Sequence, residues 1–185
     1  MSMKLEVLSR NALPAELSID RVREYCRVYP DQFGNSDHDT QLQLMIDAAV
    51  EFVQSYCRQV FRTTQFRQTT ELHAFALQRF PVQSIDSAEV YSGDWSATTD
   101  FTLVEKEPPL FCFDAAQSYE QYRVTYTAGF DDWPADLTLL VLQIAEENFT
   151  NRGATPSTTQ GVNLSRVHRL ALEQYATHID ALRWG

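Results

Sequence analysis

Histidine, cysteine and paired carboxylates are the side chains best able to do chemistry in this chain, and their spacing scatters them. The four histidines are His38, His73, His168 and His178. His168 and His178 fall on one predicted helix but ten positions apart, too far to share a metal ion. His38 lies between Asp37 and Asp39 at a predicted helix start, where acidic residues face the positive end of the helix dipole. Asp131-Asp132 and Glu146-Glu147 have the residue types of a general acid/base pair. Adjacent helical residues point apart, so Glu146 and Glu147 do not make a dyad, and Asp131-Asp132 reads as charge placed at a helix start. Cys26, Cys57 and Cys112 are odd in number and form no Cys-x-x-Cys or Cys/His metal spacing. Cys26 and Cys57 fall on apolar helical faces, where a thiol packs as a small hydrophobe. There is no Gly-x-Ser-x-Gly elbow, and Gly129, one of 6 glycines, stands alone rather than in a phosphate-cradling loop. These residues assign no catalytic group, no cofactor and no metal; an enzyme here would need a dispersed site that leaves no local signature.

The elements that would hold such residues are easier to read. Residues 1–16 are expected to be a flexible arm. Ser18 can cap a short helix over Ile19–Val28, with Ile19, Val22 and Cys26 on one face. Pro30, Asp31, Gly34 and Asn35 mark a loop. Ser36 and Asp39 resemble a capping box for a long helix over Asp37–Phe61, striped by Leu42, Met45, Ile46, Ala49, Val50, Val53 and Cys57. Short β-type runs follow at Thr63–Leu72, Phe75–Phe80, Ile85–Tyr91, Phe101–Val104, Leu110–Phe113 and Tyr119–Thr127, broken by Phe80-Pro81, Ser92-Gly93-Asp94 and Glu107-Pro108-Pro109. Ala128-Gly129-Phe130 ends the last strand. Pro134 suits a first helical position, and a helix is predicted over Trp133–Asn151, with Leu137, Leu140, Val141, Ile144 and Ala145 on one face. A final helix is predicted over Leu164–Leu182, with Arg166 and Arg169 opposite its apolar side. The fold expected is α+β: a four-helix bundle-like core with an antiparallel β-sheet or small β-barrel inserted between the second and third helices. Residues 17–62 and 129–185 supply the helical parts of one domain, and residues 63–128 the insertion.

Bulk composition narrows the function classes. With 185 residues, 44% hydrophobic and 12% aromatic, the chain can build a sizeable core. Its net charge of −10, from 25 acidic and 15 basic residues, argues against ordinary nucleic-acid binding, which needs clustered cations to displace counterions. Only Lys4 and Lys106 are lysines. The acidity fits either plain solubility or a surface that DNA passes without sticking. The cysteine usage points to a reducing compartment. MSMKLEVLSR lacks the apolar stretch of a signal peptide, and no run approaches a membrane span.

Several segments in order carry a family resemblance. LSIDRVREYCRVYPDQ is followed by DTQLQLMIDAAVEFVQSYCRQVFRTTQF, then RFPVQSIDSAEVY, then VTYTAGFDDWPADLTLLVLQIAEENFTNR. This succession, from Leu17 to Tyr175, resembles the head–tail connector (adaptor, or head-completion) proteins of tailed bacteriophages. The resemblance implies a non-enzymatic virion protein that forms a ring, expected to be dodecameric, beneath the portal protein at the head–tail junction after assembly in the host cytoplasm. It further implies a ring that extends the DNA channel without specific DNA binding and offers a docking surface to the next neck or tail protein, with no membrane involved. Within that frame, Arg58, Arg62, Glu146 and Glu147 are candidate ring-interface residues. Arg166, Arg169, Arg183 and Trp184 are candidate portal-contacting residues. The alternatives are another neck or tail-terminator ring protein of the virion, or a small soluble enzyme.

Overall fold

The structure, a computed structural model, describes residues 3–28, 38–105, 108–114, 119–150 and 166–176. The described residues divide into two compact units: a helical one within residues 13–58 and 132–176, and a β unit within residues 3–12 and 59–131.

In the helical unit a single 3-10 turn, Ala15–Leu17, leads into α1 (Ile19–Cys26), followed by α2 (Asp39–Cys57), α3 (Ala135–Thr150) and α4 (Arg166–Glu173). The apolar stripe of α2 is buried as its spacing requires: Leu42, Ile46, Ala49, Val50, Val53 and Cys57 face Leu137, Leu140, Val141, Ile144 and Ala145 of α3. α1 and α2 end on Arg27 and Arg58, both left-handed, a conformation more often filled by glycine. Ser18 occupies the N-cap of α1 without a side-chain cap bond, and α2 begins at Asp39, with Ser36 of the expected capping box outside the described residues. α2 and α3 run antiparallel, since His38 before α2 meets Phe149 near the end of α3, ring centroids 5.9 Å apart. The far end of the pair is closed by α4: Leu172 is fully buried, its carbonyl 3.7 Å from the Cys57 thiol. Burial pushes that thiol up to about 12, which keeps it a neutral hydrophobe. Beyond α4, the Tyr175 hydroxyl (2.7 Å) and Gln174 Nε2 (2.7 Å) both donate to Asp136 in the first turn of α3. The α+β class therefore holds, but a bundle of four comparable helices does not. α1, α2 and α3 form the helical layer, and α4 adds about two turns.

Among the described residues the β unit holds eight antiparallel strands: β1 (Met3–Arg10), β2 (Thr64–Thr70), β3 (Ala74–Ala76), β4 (Val82–Tyr91), β5 (Trp95–Ala97), β6 (Phe101–Val104), β7 (Leu110–Phe113) and β8 (Gln121–Ala128). They form two open sheets, β1-β2-β8-β4-β5 and β3-β7-β6, not a closed barrel. The expected flexible arm of residues 1–16 is corrected by β1, which pairs along β2 from Met3↔Thr70 to Arg10↔Thr64. Alternation on β2 and β8 sends Phe66, Tyr122, Val124, Tyr126 and Ala128 inward against Phe75, Phe111 and Phe113 of the smaller sheet. Rings pack edge and face there, Phe101 on Phe111 at 4.9 Å and Phe113 on Tyr122 at 4.9 Å.

One inward position is polar. Gln68 is fully buried, yet its Nε2 donates to the Ala76 carbonyl (3.0 Å) and its Oε1 accepts from the Gln78 amide (3.1 Å). The Tyr126 hydroxyl completes the group by accepting from the Arg79 amide at 3.2 Å. A side-chain amide thus acts as an extra strand position for residues 76–79, satisfying backbone groups that burial would otherwise penalise.

The chain enters and leaves this β region at one spot. Phe61 and Phe130 stack at 5.4 Å, the Phe130 amide donates to the Phe61 carbonyl, and the Gly129 amide donates to the Pro81 carbonyl. The Asn11 amide joins them by donating to the Thr63 carbonyl (2.9 Å). Gly129, at φ +127°, makes the crossing possible, because a Cβ there would sit 2.7 Å from the Thr63 backbone.

Two expectations follow. Gly129→Ala should cost about 2–4 kcal/mol, since strain and a backbone clash coincide, whereas Gly93→Ala, at φ +95° with nothing within 4 Å, should cost about 1 kcal/mol; urea unfolding of both variants separates the terms. The second concerns the Asp136–Tyr175 contact. The Tyr175 hydroxyl is the main cause holding Asp136 below its ordinary 3.8, against the opposing effect of burial. Burial and Asp136 push Tyr175 up to about 12. Its stabilisation is complete between the ordinary values of 3.8 and 10.0, and is lost as pH falls through the lowered carboxylate pKa or rises toward about 12. Tyr175→Phe should therefore lose about 1 kcal/mol at neutral pH, and the difference from the parent should vanish in acid below the carboxylate range.

Candidate interaction surfaces

The outward face of the five-stranded sheet carries the densest set of charges. Pairing places Glu6 opposite Arg67 and Arg123 opposite Glu89. Arg123 grips Glu89 with two bonds, Nε to Oε2 at 2.8 Å and Nη2 to Oε1 at 2.7 Å, while its guanidinium lies 3.9 Å from the Trp95 ring centre. The Arg123 bonds hold Glu89 below the usual carboxylate range against the cost of burial. Lys4 does the same for partly exposed Glu6, with Arg67 4.0 Å away adding a smaller pull. Two bulges on β4 bring further polar groups to their partners. Asp86, displaced between Ile85 and Ser87, accepts from Gln65 (2.8 Å), Ser84 (2.8 Å) and Thr127 (2.9 Å), which outweigh burial and lower its pKa. Gln83, displaced between Val82 and Ser84, donates to the Gly129 carbonyl at 3.1 Å. Arg123 and Glu89 satisfy each other within the sheet, whereas the buried Arg67 Nε has no hydrogen-bond partner among the described residues.

The residues singled out from the sequence are dispersed. Arg58 is exposed just past the end of α2, and Glu146 is exposed near the end of α3, so they occupy opposite ends of the antiparallel helix pair; Glu147 beside Glu146 is partly buried. Arg62 belongs to the β unit, where its Nε donates to the Asn11 carbonyl. Arg166 opens α4 and Arg169 is exposed on it, while Arg183 and Trp184 lie outside the described residues, as does His178. His38 packs on Phe149, and His73 offers its backbone carbonyl to the Phe113 amide. Among the described residues no three His, Cys, Asp or Glu side chains converge as a metal site, and no helix is long and apolar enough to cross a membrane. Sequence reading missed the Asp136–Tyr175 contact, which joins positions 39 apart, and the Arg123–Glu89 pair. Period-two alternation of Val124 and Tyr126 against Arg123, Thr125 and Thr127 is the signal from which part of the charged face could have been drawn.

Comparison with known proteins agrees with this architecture. The family model of the phage gp6-like head–tail connector proteins matches residues 16–92. No curated protein sequence matches the chain. Among solved structures, a chain in the neck of an empty gene transfer agent (GTA) particle, computed with C6 symmetry, superposes with a TM-score of 0.68 at 18% identity, covering 94% of this chain and 95% of that one. A chain in the neck of the native particle, computed with C12 symmetry, gives 0.64 at 16% identity, covering 92% and 96%. A chain of the native virion gives 0.66 at 16% identity, covering 94% and 95%. The resemblance read from the sequence thus stands: the chain matches the phage gp6-like head–tail connector family over residues 16–92 and shares its fold, nearly end to end, with chains of gene transfer agent necks and virions.

Proposed function

We propose that this chain is a structural virion protein, a head–tail connector (adaptor) with a non-enzymatic role. One observation carries the reading: a connector family match over residues 16–92 coincides with a nearly whole-length fold match to chains of gene transfer agent necks. In this reading, copies form a ring beneath the portal at the head–tail junction. The ring is dodecameric, by analogy with the C12 neck whose fold the chain shares. It extends the DNA channel and presents a docking surface to the next neck or tail protein. The net charge of −10 supports the channel role, because an acidic lining denies DNA the counterion-release contacts that would hold it.

A ring of identical chains needs two different patches on each subunit. Arg58 at one end of the α2/α3 pair and Glu146 and Glu147 at the other supply charges of opposite sign for neighbouring copies, with Arg62 as a further cation. Arg166, Arg169, Arg183 and Trp184 of the C-terminal segment are proposed to contact the portal, since Arg and Trp are frequent anchors at interfaces.

Withholding this chain from an otherwise complete set of virion proteins should leave DNA-filled heads without tails, and adding it back should restore tailed particles; tailed, infective particles formed without it would overturn the connector role. Reversing Glu146→Lys and Glu147→Lys together should reduce ring assembly on portals without unfolding the chain, as read by negative-stain microscopy beside circular dichroism. Unchanged rings would remove these two residues from the interface.

A further inference from the structure

The buried amide of Gln68 can donate two hydrogen bonds and accept two, and the fold supplies a partner for each. Its Oε1 accepts from the Gln78 amide (3.1 Å) and, more loosely, from the Tyr126 hydroxyl (3.5 Å). Its Nε2 donates to the Ala76 carbonyl (3.0 Å) and to the Met3 sulfur (3.4 Å). The same sulfur accepts from the exposed side chain of Gln78, 2.7 Å from its Nε2. Met3 opens β1 opposite Thr70, and Leu5, two places on, lies opposite Gln68. The long unbranched side chain of Met3 therefore reaches diagonally across the strand pair to both amides.

A thioether is the weakest acceptor in this group. Two amide donors converge on a sulfur where an oxygen would satisfy them better, and Met3 is 39% exposed. Of the chain's other methionines, Met45 is partly buried on α2 and Met1 lies outside the described residues. We infer that Met3 is a modification site for a peroxide-class oxidant, and that its sulfoxide fastens β1 to Gln68 and Gln78. A sulfur lone pair attacks one oxygen of hydrogen peroxide and the O–O bond breaks. The S–O bond forms, sulfur gives up two electrons, and the departing hydroxide takes the remaining proton and leaves as water. In an apolar core the new dipole would find no partner and would loosen the packing. At Met3 the oxygen forms where two N–H groups already point, with solvent behind it, so oxidation tightens the contact. β1 is an edge strand among the described residues, so a firmer hold on its first residue protects the strand from fraying. This chemistry is independent of the connector role.

The test treats the full chain with dilute hydrogen peroxide, quenches it, locates sulfoxide by tandem mass spectrometry, and follows backbone hydrogen exchange over residues 3–10. Met3 should oxidise at least about fivefold faster than Met45. The β1 amides should then exchange about three- to tenfold more slowly than in the untreated chain. Met3→Leu keeps the bulk without the acceptor, and peroxide should leave its β1 exchange unchanged. Gln78→Ala removes a donor on an exposed side chain; it should oxidise at Met3 as readily but gain about half the protection or less. Oxidation of Met45 ahead of Met3 would overturn the site. Exchange of β1 that stays the same or quickens once Met3 is oxidised would overturn the fastening, as would an undiminished gain in Gln78→Ala.

Discussion

The close passage of Gly129 over Thr63 is the constraint on which the β unit depends. Three stretches of chain meet there: the end of β1 through Asn11, the approach to β2 through Phe61–Thr63, and the exit from β8 through Gly129–Phe130. No side chain fits between them, and the hydrogen bonds they exchange fix the register of β2 and β8 from the base upward. Everything toward the tip inherits that register, including the alternation that sends Tyr126 inward and Arg123 outward. A slip of one residue would exchange the aromatic core with the charged face.

The two units satisfy their polar groups by different means. In the helical unit, polarity is pushed to the ends of the helices, where Arg23 grips Asp39 and Tyr175 grips Asp136, and the middle is left dry. In the β unit, polarity enters the fold itself: Gln68 mends a strand from within, while Asp86 and Gln83 use bulges to reach partners that a regular strand would deny them. The helical surface therefore varies from end to end, while the outward face of the sheet is crossed by the Arg123–Glu89 pair.

Much of this was legible from residue patterns, and the failures have physical causes. The apolar stripes of α2 and α3 are long and regular, so their buried faces were read correctly at Leu42, Ile46, Val53, Leu140 and Ile144. β6 and β7 were placed to the residue. β1 was missed although Leu5 and Val7 alternate with Lys4 and Glu6, because the bulge after Val7 cuts the pattern short and the partner strand lies some sixty residues on. β5 spans three residues, too few for any period. Gln68 looked like an outward polar residue because composition cannot show that the Ala76 carbonyl and the Gln78 amide turn to a side-chain amide for their bonds. The candidate surfaces were the least legible of all. Charge and exposure can be guessed one residue at a time, but which end of a helix pair they share depends on the antiparallel packing of α2 and α3.

The pairing of β1 has a consequence for how the protein is made. β1 is an edge strand among the described residues, and its neighbour β2 is separated from it by the whole of α1 and α2. During synthesis, helices have time to form while Met3–Arg10 waits without a partner, with Met3, Val7 and Leu8 exposed. β1 is thus translated well before its partner can secure it. A tag or leader fused there is carried to the tip of the sheet beside Thr70, where it competes with the closing step of folding rather than hanging from a finished domain.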